Sequence, residues 1–287
     1  MDKKYTAKEL DLLHAELYDI LGETIRICRK HDIPYFVIGG TAIGALYDRA
    51  ILPWDDDIDI GMARKDYNRF LEVAPRELGD SYFLSWIETD PHSPYYYAKV
   101  KKNNTLFVEE MFKNVPMHPG IFVDIFPFDR IPDNKLLRKL QYDAAGFLKC
   151  CLMGKEIWMW KHFGTCEIEN PTNRGAFSCF LNRVVDLLFS KKAIYRMLVS
   201  VQSCFNSRNT RYYNNVMATA DHVTVESIRH LQPVKFGPLT VTAPDDLEGF
   251  LRYNYPTLHR FTEEEQEKVN NHYPAALSFS TTPKQEL

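Results

Sequence analysis

Residues 54–60 read Trp-Asp-Asp-Asp-Ile-Asp-Ile, with four carboxylates inside five positions and the last of them alternating with isoleucines. This block restricts the fold more than any other stretch, because alternation is the period of a strand, and a strand aims Asp57 and Asp59 at one side. Their backbones then stand about 6.5–7 Å apart, near enough for repulsion that a counter-charge must relieve. Oxygen donors set this way suit a hard divalent cation, magnesium first, with manganese as a substitute. A solvated acidic turn is the competing reading of any acidic run. Ile58 and Ile60 weigh against it, since they describe a half-buried strand with one acidic face. Asp55 and Asp56 either support the metal from behind or end the preceding turn.

Two further motifs accompany this block. Phe36-Val37-Ile38-Gly39-Gly40-Thr41 predicts a strand running into a Gly-Gly turn at a helix N-terminus, capped by Thr41. Free N–H groups and the helix dipole favour a phosphate there, which makes Gly39, Gly40 and Thr41 candidate ligands, although plain turn chemistry is the commoner use of such a pair. Neither a Walker loop nor the Rossmann glycine pattern is present. Gly120 to Pro127 is strongly apolar with Asp124 as its single acid. Burying a lone carboxylate is costly, so Asp124 is either a third metal ligand or the partner of a core Lys or Arg. His118, just upstream, reads as a structural residue or a ligand contact.

Around these motifs the pattern predicts a helix from the capping box Thr6/Glu9 to about Lys30 and another over Arg64–Val73. Strands are predicted at Asp57–Met62, Tyr82–Trp86, Tyr95–Lys101, Thr105–Glu109 and Gly120–Phe126. That order gives a mixed sheet with flanking helices, hence an α+β fold. Residues 1–133 form the expected catalytic core and 134–230 a helical subdomain. Residues 231–287 are expected to pack back on the core through a hairpin at Gly237-Pro238 and a capped helix from Asp245 to Tyr253, before a frayed tail from Ser278. Thirty-five Lys and Arg against 38 Asp and Glu leave a net charge of -3, which excludes a chain-wide footprint for nucleic acid. The first twenty residues are charged throughout, and no apolar run reaches the ~20 residues of a membrane helix. A cytoplasmic protein with reduced, buried cysteines is therefore expected. Cys150, Cys151, His162 and Cys166 match no standard zinc spacing. Trp158, Trp160, Lys155 and Lys161 offer a weak patch for peripheral contact with the inner face of a membrane.

Gly39-Gly40-Thr41, Arg49, Trp54 through Ile60, Asp66-Tyr67, Gly120 through Asp129, and Phe236-Gly237 with Val241, Pro244, Leu251 and Tyr253 resemble the LicD family of nucleotidyltransferase-fold enzymes. That family includes bacterial phosphocholine transferases and the fukutin-related proteins. Tyr253-Asn254-Tyr255 departs from its usual Tyr-Gly. The resemblance implies a nucleotidyltransferase-like core with a helical insertion. It also implies transfer of phosphocholine or a related phospho-alcohol from a CDP-linked donor to a hydroxyl of a glycan or its lipid-linked precursor, releasing CMP. Asp57 and Asp59 would hold two magnesium ions, and Asp124 would complete one and accept the proton of the attacking hydroxyl. Gly39, Gly40 and Thr41 would cradle phosphate, and Arg49 with Lys99 or Lys101 would neutralise its remaining charge, unless these cations sit in ordinary ion pairs. A choline donor would need aromatic rings around its ammonium, for which Tyr95, Tyr96, Tyr97, Trp158, Trp160, Tyr212 and Tyr213 are available, packing being their commoner role. The alternatives are a nucleotidyltransferase moving NMP from an NTP onto a small hydroxyl compound, and an inactive nucleotide-binding module.

Overall fold

The computed structural model describes residues 4–162, 184–185, 187–215, 222–267, 269 and 273–280, the side chains of residues 157–162 and 267 excepted. Helix α1 (Ala7–Lys30) starts on the expected capping box, in which Glu9 N–H donates to Thr6 Oγ1 and Thr6 N–H donates to the Glu9 carboxylate. Leu13, Leu17, Ile20 and Leu21 form its buried stripe. There follow β1 (Phe36–Val37), α2 (Gly39–Tyr47), β2 (Asp59–Ala63), α3 (Arg64–Glu77), β3 (Tyr82–Ser85), β4 (Ala98–Lys102), β5 (Leu106–Val108) and β6 (Phe122–Ile131). The chain continues through α4 (Lys135–His162), α5 (Lys191–Ser203), β7 (Tyr212–Asn214), β8 (His222–Thr224), β9 (Leu231–Phe236), β10 (Leu239–Pro244), α6 (Leu247–Asn254), α7 (Glu263–Glu267) and β11 (Ala276–Ser278).

The class is α+β. The main sheet runs β1-β2-β6-β4-β3, with β7 on the far end of β6 and β8 on β7. Only β2 and β6 pair in parallel within it; β9–β10 and β5–β11 are separate antiparallel pairs. The expected hairpin and the helix after it are β9–β10 and α6, whose cap is Asp246 accepting from Gly249 N–H.

Several boundaries differ from the sequence reading. β2 begins at Asp59, leaving Asp57 in its extended approach, where Ile58 O already accepts from Asp124 N–H at 2.9 Å. β4 begins at Ala98, because Tyr95–Tyr97 are spent on packing before the ladder starts. β6 runs on to Ile131, since β7 supplies hydrogen bonds beyond Phe128. The strands β7 and β8 stand in a stretch read as helical; three residues are too few to show a period. Among the described residues no helix is long and apolar enough to cross a membrane. Trp158, Trp160 and His162 as side chains, Cys166, and the tail beyond residue 280 lie outside the described residues.

Candidate active site

Three strands bring three charged residues into one row. Asp59 stands opposite Asp124 in the parallel β2–β6 pair, and Asp124 stands opposite Lys99 in the antiparallel β6–β4 pair, so all three share a face of the sheet. Lys99 Nζ lies 2.9 Å from Asp124 Oδ1 and donates to Oδ2 at 3.1 Å, with both side chains buried. Burial pushes the lysine down and the carboxyl up, and each partner opposes the shift of the other. The ion pair foreseen for Asp124 is thus present, and Asp57 and Asp59 still feel its charge.

The glycine turn closes on the same row. Helix α2 opens at Gly39, whose φ of 55° is a left-handed conformation that suits glycine, and Ile38 is its N-cap. Thr41 is therefore not the cap. It lies buried in the first turn, where its Oγ1 accepts Asp59 N–H at 2.8 Å and fixes the start of β2. A Cβ on Gly40 would stand 2.5 Å from Asp55 Oδ2, and one on Gly39 3.4 Å from Asp59 Oδ2. The glycines let two carboxylates close on the positive end of the helix dipole.

Asp55, Asp56 and Asp57 each offer an oxygen within 4.8 Å of the other two. Tyr5 Oη donates to Asp56 Oδ2 at 2.9 Å, and the carbonyl of Asp55 meets His14 Nε2 at 2.7 Å. Burial, and after it the charge of Asp56, pushes Asp55 up to about 7. Asp57 and Asp59 are held well above the usual carboxylate range by burial first and then by the other acids. The ammonium of Lys99 opposes this in Asp57, Asp59 and Asp124, joined at Asp124 by that of Lys101. Surplus carboxylate charge in a poorly solvated recess, presented as hard oxygen donors, is what a divalent cation such as magnesium relieves, so the donor set fits that ion.

The other expected site residues fall elsewhere. Lys101 is buried, donates to His118 O at 2.5 Å and is pushed down to about 7 by burial and then by Lys99. Arg49 is exposed at a φ of 53°, with its carbonyl accepting Gly237 N–H. Tyr95 and Tyr97 are buried with Phe122 around Lys99 Nζ, at 4.2, 5.5 and 3.3 Å to the ring centroids, so those rings already enclose the protein's own ammonium. Tyr96 donates to Asn215 O, and Tyr212 and Tyr213 lie under Arg138 and Arg130. His118 Nε2 meets Asn103 Oδ1 at 2.9 Å, a structural role.

Two features escaped sequence reasoning. Glu109, at the end of β5, accepts from Tyr95 Oη and is pushed up to about 8 by burial, then by Asp124 and Asp56. The second is the wall of a recess of 710 Å³ beside the acids. Gly40, Tyr47, Trp54 and Asp55–Asp57 form one side, and Tyr255, His259, Arg260 and Phe261 form the other. A second recess of 260 Å³ opens on the Asp59 side between β6 and α6. Neither Glu109 nor the 255–261 segment carries a motif; only tertiary packing brings them here.

Residues 32–147 match the model of the LicD/FKTN/FKRP nucleotidyltransferase domain, a span holding every acid of this site. The chain is also 29% identical over 196 residues to the lipopolysaccharide cholinephosphotransferase LicD of Haemophilus influenzae, covering 66% of each protein. Residues 32–147 are thus a LicD-family domain. The chain is similar at 25% identity over 145 residues to the ribitol 5-phosphate transferase FKRP of mouse, covering 48% of this chain and 29% of that one. An uncharacterized Rickettsia typhi protein is 27% identical over 140 residues, 49% of this chain and 42% of its own. The matches thus span 66% of the length of H. influenzae LicD and less than half of the other two relatives. The LicD domain match ends within α4, so the 255–261 wall of the recess lies beyond it.

Proposed function

We propose that this chain transfers phosphocholine or a related phospho-alcohol from a CDP-linked donor to a hydroxyl of a cell-surface glycan or its lipid-linked precursor, releasing CMP. One observation carries the reading: Asp59, Asp124 and Lys99 in register across three strands, with Asp59 and Asp55 closing on the glycine turn of α2 and Asp57 grouped with Asp55. The names of two relatives, a cholinephosphotransferase and a ribitol 5-phosphate transferase, support phospho-alcohol transfer. A nucleotidyltransferase-like core over residues 1–133, a helical subdomain over 134–230 and a returning segment over 231–287 belong to the same reading, as does action at the cytoplasmic face of a membrane.

Asp57, Asp59 and Asp124 would hold magnesium, with Asp55 and Asp56 beside them. Bound there, the ion would neutralise the donor diphosphate and polarise the phosphorus under attack. The acceptor oxygen bonds to the phosphorus that bears the alcohol, the bond from that phosphorus to the CMP oxygen breaks, and CMP leaves with the electron pair. The proton of the acceptor hydroxyl passes to a carboxylate, for which Asp124, raised by burial, is the assigned base. Lys99 keeps Asp124 oriented, and the first N–H groups of α2 face the donor phosphate.

Calorimetry of CDP-choline, CDP-ribitol, CDP-glycerol and CTP against the protein with magnesium tests this. One CDP-alcohol is expected to bind in a magnesium-dependent way, and Asp57→Ala and Asp59→Ala each abolish that binding. Preference for CTP would replace the reading with nucleotidyl transfer, and binding indifferent to metal and to both aspartates would replace it with a binding module.

A further inference from the structure

The donor of the proposed reaction carries a diphosphate, and the cations expected to meet it are engaged or turned away. Lys99 is bound to Asp124, Lys101 to the carbonyl of His118, and Arg49 is absent from the lining of the 710 Å³ recess. Among the described lining residues, Arg260 is the one arginine or lysine. Its side chain is 65% exposed, and its guanidinium pairs with Asp48, which lines the same recess. With the guanidinium this open to water the pair contributes little to stability, so the arginine exchanges readily for a better partner. A phosphate is such a partner, because the planar fork of arginine matches two phosphate oxygens at once.

Next to Arg260 the ring of Phe261 stacks on Trp54, with centroids 5.7 Å apart and planes 8° from parallel. Trp54 directly precedes the acidic block, so the stacked pair joins the acidic side of the recess to its C-terminal wall. A flat aromatic surface beside a phosphate cation and a metal-binding acidic edge is the complement of a nucleoside diphosphate: base on rings, phosphates between cations.

We propose that Arg260 is the donor-phosphate ligand of this protein, held at rest by Asp48 and released to the diphosphate on binding, with Trp54 and Phe261 as the platform for the base. This assignment rests on the donor reading above. It also places donor recognition on a segment outside the matched LicD domain.

Calorimetry with CDP as the probe, in magnesium, decides it through four single variants and one double variant. Arg260→Gln is expected to bind CDP about tenfold or more weakly, Arg260→Lys to recover part of the loss, and Phe261→Ala to weaken binding about tenfold. Asp48→Asn removes the resting partner and is expected to tighten binding, an effect that a purely structural Arg260–Asp48 pair would not give. Asp48→Asn combined with Arg260→Gln is expected to behave as Arg260→Gln alone. If the wild type binds CDP with magnesium and Arg260→Gln binds it equally well, or Asp48→Asn binds it more weakly, the assignment of Arg260 is overturned and the donor reading stands. If the wild type binds neither CDP nor any CDP-alcohol, both are overturned.

Discussion

Lys99 shows how one residue serves both stability and chemistry. Its ammonium is enclosed by Phe122, Tyr95 and Tyr97 and compensates Asp124 in the sheet interior. Lys99→Met would leave that carboxylate buried beside two others, and removing one partner of a buried pair costs about 3–5 kcal/mol. Urea denaturation in EDTA is expected to show a loss of that size, and Asp124→Asn added to Lys99→Met is expected to recover most of it. Gly40 makes a complementary case. A methyl there meets Asp55 Oδ2 at 2.5 Å, so Gly40→Ala pushes the carboxylate off the helix end while its φ, which is not left-handed, tolerates alanine. Calorimetric titration with magnesium is expected to show weaker binding by Gly40→Ala at nearly unchanged melting temperature; equal affinity would mean that Asp55 does not depend on this contact.

At the scale of elements, polar ties decide what hydrophobic patterning leaves open. Arg64, opening α3, donates through Nε to Asp129 Oδ1 at 3.0 Å and through Nη2 to Gln202 Oε1 at 3.0 Å, joining α3, β6 and α5. Arg64→Met is expected to destabilise by about 3 kcal/mol, read from the urea midpoint, because Asp129 stays buried with Asn206 as its remaining amide donor. Nothing in the helical period of residues 64–73 announces this tie. The elements with strong local signals were legible: α1 from its capping box, the β9–β10 hairpin from Gly237, α6 from its Asp cap, and the acid-bearing strands from alternation. Asp59 and Asp124 were legible because each is an acid between apolar neighbours, an expense that sequence alone reveals, and Asp57 from its alternation with Asp59. The ends of strands were not, since ladder partners set them: β6 extends because β7 is there, and β2 starts where Thr41 holds Asp59 N–H. Partners of the cations were equally hidden, because Lys99 and Lys101 look alike in sequence while register places one beside Asp124 and the other against Phe122.

For the whole molecule, the same carboxylates tie stability to pH and to metal in opposite directions. Asp55 is raised to about 7 and Glu109 to about 8, and Asp57, Asp59 and Asp124 are raised as well. The unfolded chain releases these protons near pH 4, so between about pH 4 and 8 the native state holds more protons than the unfolded one. Stability contributed by a raised carboxyl is complete below its unfolded pKa and is lost as pH rises through its folded one. In EDTA the melting temperature is therefore expected to be higher at pH 5.5 than at pH 8. Magnesium binds the ionised form and releases protons, so its stabilisation grows over the same interval; at a hundredfold excess over the dissociation constant it reaches about 2.7 kcal/mol. Glu109→Gln is expected to lessen the decline toward pH 8 in EDTA, whereas Asp57→Asn lessens both the decline and the gain on adding magnesium. Thermal melts of the three proteins at pH 5.5 and 8, with EDTA and with magnesium, separate these contributions, because histidines and distant acids shift all three curves alike. A magnesium gain equal at the two pH values, or one that survives Asp57→Asn undiminished, would place the metal away from the Asp57–Asp59–Asp124 row.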